Sequence, residues 1–129
     1  MPTPVNPPEP WTIALSAGTG DLATGTAVVT TRAPFALALT QLPRISVSTA
    51  PVGSVITVDI NSGATSPATM LSTKLTIDAS EKSSVSGATQ GVLSSTTMAD
   101  NDIITFDIDT VGSSTAGSGL QITLYVTRL

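Results

Sequence analysis

The stretch "DNDIITFDID", residues 100–109, carries Asp100, Asp102, Asp107 and Asp109, four of the nine acidic side chains in a chain of 129 residues. Such a density of carboxylates could hold a divalent cation or share protons in a hydrolytic site. A calcium loop of the EF-hand type needs oxygen ligands at alternate positions, then a glycine, then a glutamate at the twelfth position, whereas "DND" runs straight into "IITF". That motif is absent. An irregular oxygen cage joining Asp100 and Asp102 to Asp78 or Glu81 stays open as the lesser alternative, because calcium accepts varied ligand geometry. The alternation favours a plainer account, in which Ile104, Phe106 and Ile108 share one face of a strand and Ile103, Thr105, Asp107 and Asp109 share the other. Asp107 and Asp109 are then the hydrated face, and Asp100 and Asp102 mark the preceding turn. "SVITVDI" repeats the scheme, with Ile56, Val58 and Ile60 inward and Val55, Thr57 and Asp59 outward.

Other chemistries lack their parts. The chain has neither His nor Cys, which removes the usual general base, the commonest transition-metal ligand, the thiol nucleophile and any disulfide. A Ser–Lys pair of the S-x-x-K kind fails, because the third position before Lys74 is Leu71 and before Lys82 is Ala79. "GTGDLA" (18–23) satisfies a dinucleotide-binding spacing, but "TGTAVVTTRA" follows where a helix must open, so a turn between strands is expected. A pair of glycosidase carboxylates would need a sugar-binding cleft, and one Trp, one Tyr and two Phe are too few to line one. No enzymatic activity, no cofactor and no metal are expected.

The elements that position these residues are strands. Twenty-two Thr and sixteen Ser accompany Val, Ile and Leu, while charged residues make up 11%, a mixture that builds strands and turns and leaves no charged face for amphipathic helices. Runs of alternating character fall at 11–16, 25–33, 35–41, 44–50, 54–60, 70–78, 89–94, 102–109 and 120–128, separated by Gly, Pro, Asn and Asp. "NSGATSP" (61–67) and "GSSTAGSG" (112–119) read as longer exposed connections, the second flexible through its glycines. "SSTTMADND" could cap a helical turn, but no apolar stripe supports a helix there. Nine short runs in one domain-sized chain imply an all-β, two-sheet β-sandwich, jelly-roll-like, over residues 11–129.

Residues 1–10 contain five of the nine prolines and little that can pack, so an extended arm is expected before Trp11 opens the domain. Proline lowers the entropy lost when such an arm is ordered, which suits it to lie along a neighbouring subunit. Pro2, Pro4, Val5, Pro7, Pro8, Pro10 and Trp11 are the candidate contact residues. A net charge of −4 with only Arg32, Arg44, Lys74, Lys82 and Arg128 as cations leaves no basic surface for nucleic acid. The sequence has no apolar run of about 18 residues for a membrane span and no charged-then-apolar leader, so the mature chain is expected to begin at residue 1.

The ordered phrases "TGTA" (24–27), "RAPF" (32–35), "STAPVGS" (48–54), "TVDIN" (57–61), "STKLTIDASEK" (72–82) and "DIDTVGSSTAGSGL" (107–120) together resemble a module of tailed-bacteriophage virion proteins, found in capsid decoration, head-fibre and tail-fibre proteins. The resemblance spans residues 12–129. It implies an external virion component with a β-sandwich fold and brings no catalytic residues with it. A short module behind a proline arm further implies a capsid decoration protein on the outside of the shell, contacting the major capsid protein and other copies of itself, with a homotrimer expected. The alternative it leaves open is a fibre module that binds a host receptor or glycan through loops 61–69 and 112–119.

Overall fold

The computed structural model describes residues 7–129. Two antiparallel sheets pack face to face. The first runs β1 (Glu9–Ala14), β12 (Gln121–Arg128), β3 (Leu37–Leu39) and β10 (Thr97–Met98), with β4 (Arg44–Ser46) also paired to β12. The second runs β2 (Gly25–Arg32), β11 (Ile103–Thr110), β5 (Ile56–Gly63) and β6 (Ala68–Thr69), with β8 (Leu75–Ile77) also on β5. A small ribbon of β7 (Leu71–Thr73) and β9 (Val92–Leu93) and one 3₁₀ turn, Ser84–Ser86, complete the described elements. The all-β sandwich expected from the alternation is the observed architecture.

The period-two pattern sets which side chains meet. Ile122, Leu124 and Val126 of β12 face Ile104, Phe106 and Ile108 of β11 and Ile56, Val58 and Ile60 of β5 across one core, all of them buried. Phe106, without exposed surface, stands opposite Ile60 on one neighbouring strand and Val29 on the other. Burial of a Phe, Leu or Ile side chain contributes about 1.5–3 kcal/mol, so this layer of aliphatic residues around one aromatic ring is the main source of cohesion.

Several boundaries differ from the expectation, each for a local reason. Strand β1 starts at Glu9, two residues inside the expected arm, because Glu9 and Pro10 continue the register of β1 opposite Val126 and Tyr125. Strand β5 runs on to Gly63, taking in the first residues of the expected 61–69 loop, and turns through 64–67 into β6. The 70–78 run divides at Lys74, with β7 pairing β9 and β8 pairing β5. "TM" of the possible helical turn is instead strand β10, paired with β3 and burying Met98.

Candidate functional site

Most of the carboxylates in and around the acidic run are employed in holding the fold. At the 99–102 turn, Asp102 Oδ2 accepts the Ala99 N–H at 2.9 Å and the Asp102 N–H reaches the Ala99 carbonyl at 3.1 Å. Asn101 takes the left-handed conformation there, φ 66°, which Asn tolerates better than most residues. Asp100 is exposed on the same turn. The two residues named as possible co-ligands are tied inside their own loop: Asp78 accepts the Ala88 N–H and Glu81 the Ser86 hydroxyl, each at 2.8 Å. Among the described residues no three acidic side chains come together in a way that could hold a metal ion.

Asp107 and Asp59 are opposite one another on β11 and β5. Asp107 Oδ1 accepts the Ala27 N–H at 2.8 Å and its Oδ2 accepts from Asn61 Nδ2 at 3.1 Å. Ala27 lies in a bulge of β2, where the register jumps between Val29 and Gly25, and has φ 50°. The carboxylate thus satisfies an N–H that the bulge takes out of the ladder. Asp59 corrects the sequence reading of a solvated outer face, because only 6% of it is exposed. Its Oδ1 accepts the Thr69 hydroxyl at 2.5 Å and its own strand's Ile60 N–H at 2.9 Å. The cover comes from β6, which folds back over β5 after the turn.

Asp109 pairs with Lys74, from the β7–β8 junction. The hydrogen bond to Asp109 raises the lysine above its ordinary 10.5; burial opposes it, and the charges of Asp109, Asp59 and Asp107 add to the rise. Side chains 45% and 33% exposed make this a surface pair, of modest energetic worth.

Near the start of the described residues, Trp11 is half-buried and packs with Ile13 against the core. Pro10 is exposed on β1, as are Pro7 and Pro8 before it. Pro2, Pro4 and Val5 lie outside the described residues. Pro7 and Glu9 border a depression of about 260 Å³ completed by Phe35, Val126 and Arg128, with the Arg128 guanidinium 4.9 Å above the Phe35 ring. A second depression, of about 210 Å³, is lined by Gln41, Leu42, Pro43, Arg44, Ser84, Val85 and Gln90. Neither gathers the nucleophile, base and oxyanion donors that a reaction would need.

The 112–119 loop, expected to be a flexible connection, is laced to residues 49–52. Val52 N–H bonds Thr115 O and Ser114 N–H bonds Val52 O, each at 2.9 Å, and Ser118 N–H bonds Thr49 O at 3.2 Å. Gly112 permits this closeness, since a Cβ there would stand 1.8 Å from the Thr115 carbonyl oxygen.

No protein-family model, no curated protein and no solved structure matches this chain.

Proposed function

We propose that this protein is a bacteriophage capsid decoration protein, bound to the outside of the shell through the major capsid protein and through other copies of itself, as a homotrimer that cements neighbouring shell subunits. The observation that carries the reading is the anchorage of the N-terminal segment. Trp11 and Ile13 pin β1 to the edge of one sheet, and Pro7 and Pro8 lie exposed just before it. The resemblance of its ordered phrases to virion modules supports it. So does the use of Asp102, Asp107 and Asp109 in a turn, a bulge and an ion pair, which suits a structural role. Repeated weak contacts from symmetric copies then multiply into firm attachment.

A deletion of residues 1–8, which spares β1, tests the reading on shells stripped of the protein. The truncated protein is expected to fold with an unchanged melting curve and to lose most of its coating of such shells. Unimpaired coating overturns the arm's part. Failure of the full-length protein to coat shells, together with binding to intact host cells, favours the head-fibre or tail-fibre alternative.

A further inference from the structure

Both sheets end in an unpaired strand, and the two open edges match one another. Strand β1 pairs only with β12, and β2 only with β11, among the described residues. The Leu15 N–H bonds the Leu120 carbonyl at 2.9 Å in the register of β1 and β12. Hydrogen-bonded pairs alternate along an antiparallel ladder, so Trp11 and Ile13 bond toward β12 while Pro10, Thr12 and Ala14 aim their backbone groups outward. The Ala33 N–H bonds the Asp102 carbonyl at 2.9 Å in the register of β2 and β11. By the same alternation Thr31 and Val29 bond toward β11, and Arg32, Thr30 and Val28 aim outward. An exposed row of this kind is a template for another strand unless charge, proline or a bulge blocks it. On β2 the bulge at Ala27 lies beyond the regular stretch, and Arg32 Nη1 is drawn back to the Asn101 carbonyl at 3.2 Å. On β1, Pro10 lacks only the donor at the end of the row.

The side-chain faces agree as well. The outward-bonding residues of both strands are the exposed ones, Pro10, Thr12 and Ala14 on β1 and Val28, Thr30 and Arg32 on β2, while Trp11, Ile13, Val29 and Thr31 are half-buried. Antiparallel pairing of Thr12 with Thr30 and Ala14 with Val28 therefore sets exposed face beside exposed face and brings Trp11 and Ile13 alongside Thr31 and Val29. Joining two β1 edges would forfeit the Pro10 donor twice, and joining two β2 edges would leave Trp11 and Ile13 uncovered.

We propose that copies of this chain join edge to edge, β1 of one copy pairing antiparallel with β2 of the next, Thr12 against Thr30 and Ala14 against Val28. The inference rests on the self-association in the function proposed above and identifies its contact. Because the two edges are different surfaces, the contact is head-to-tail, and the threefold rotation of the homotrimer proposed above would close it as a ring.

The test is made in solution without any shell, so its failure is separable from failure to decorate. Wild-type protein is expected to sediment as a closed oligomer at micromolar concentration. Thr30→Pro, at an N–H that the ladder alternation aims away from β11, and Val28→Lys are each expected to sediment as a folded monomer with the circular dichroism of the wild type. A folded wild-type monomer, or an oligomer that survives both changes, overturns the proposal. Should Thr30→Pro fail to fold, cross-linking decides the question, since the chain has no native cysteine. Thr12→Cys protein mixed with Thr30→Cys protein and oxidised is expected to form a disulfide-linked pair, the spacing of directly opposed residues suiting the bond. Coupling of Thr30→Cys protein with itself in place of the mixed pair overturns the proposal in favour of a twofold dimer.

Discussion

Thr69→Val keeps the shape of the side chain and removes the hydroxyl that covers Asp59. That hydroxyl donates to Asp59 Oδ1 at 2.5 Å and accepts the Leu71 N–H at 3.1 Å. Asp59 is 6% exposed, so the substitution takes a donor from a buried carboxylate and an acceptor from the backbone of β7. A hydrogen bond to a charged group is worth about 1.5–3 kcal/mol. Thr69 itself is exposed, and water entering from its side recovers part of the loss, so the expected cost is about 2 kcal/mol, near the lower end of that range. For a domain of this size about 4 °C of melting temperature corresponds to each kcal/mol, which places the variant about 8 °C below the wild type. Thr69→Ser, which retains the hydroxyl, is expected to stay within about 2 °C of the wild type on the same scale. Thermal unfolding followed by circular dichroism at neutral pH reads both. A Thr69→Val protein that melts with the wild type would refute the assignment of Asp59 as a buried carboxylate held by β6.

Phe106→Ala, at the fully buried centre of the core, is expected to cost about 3–5 kcal/mol in urea unfolding, from lost burial and the cavity left behind. Lys74→Met removes the ion pair with Asp109, and its expected cost at neutral pH is below about 1 kcal/mol because both side chains are substantially exposed. The lysine is raised in the folded protein, so its contribution is fully present below the ordinary 10.5 of lysine and disappears as pH rises through the higher folded value. The stabilities of wild type and Lys74→Met are therefore expected to converge in strongly alkaline buffer, as paired denaturant titrations across that range would reveal.

The sandwich was legible because period-two alternation is a strong signal wherever one face of a strand is dry. Ile104, Phe106 and Ile108 announced their own burial, as did Ile56, Val58 and Ile60. Asp59 escaped because its cover comes from Thr69, beyond a turn, and alternation says which face a residue occupies but not what folds over that face. Strand β10 escaped for a related reason: two residues carry no period, and Thr97 and Met98 become a strand only because β3 lies beside them. The split at Lys74 follows from tertiary pairing in the same way, since β7 and β8 answer to different partners. The acidic run turned out to be four separate jobs, a turn clasp at Asp102, an exposed turn position at Asp100, a bulge clasp at Asp107 and an ion pair at Asp109. Those jobs depend on Ala99, Ala27 and Lys74, and only the first of these partners is near in sequence. The open edges of β1 and β2 were likewise beyond reach, because an edge is defined by the strand that is not there.

The central claim, that this chain coats the exterior of a capsid, is tested most directly by imaging particles reconstituted with the purified full-length protein from shells lacking it. The account predicts added density on the outer face of the shell, into which the two-sheet sandwich fits with the Pro7–Glu9 end of the chain toward the capsid proteins. Density confined to the tail or to a fibre, or shells that remain bare at saturating protein, would contradict it.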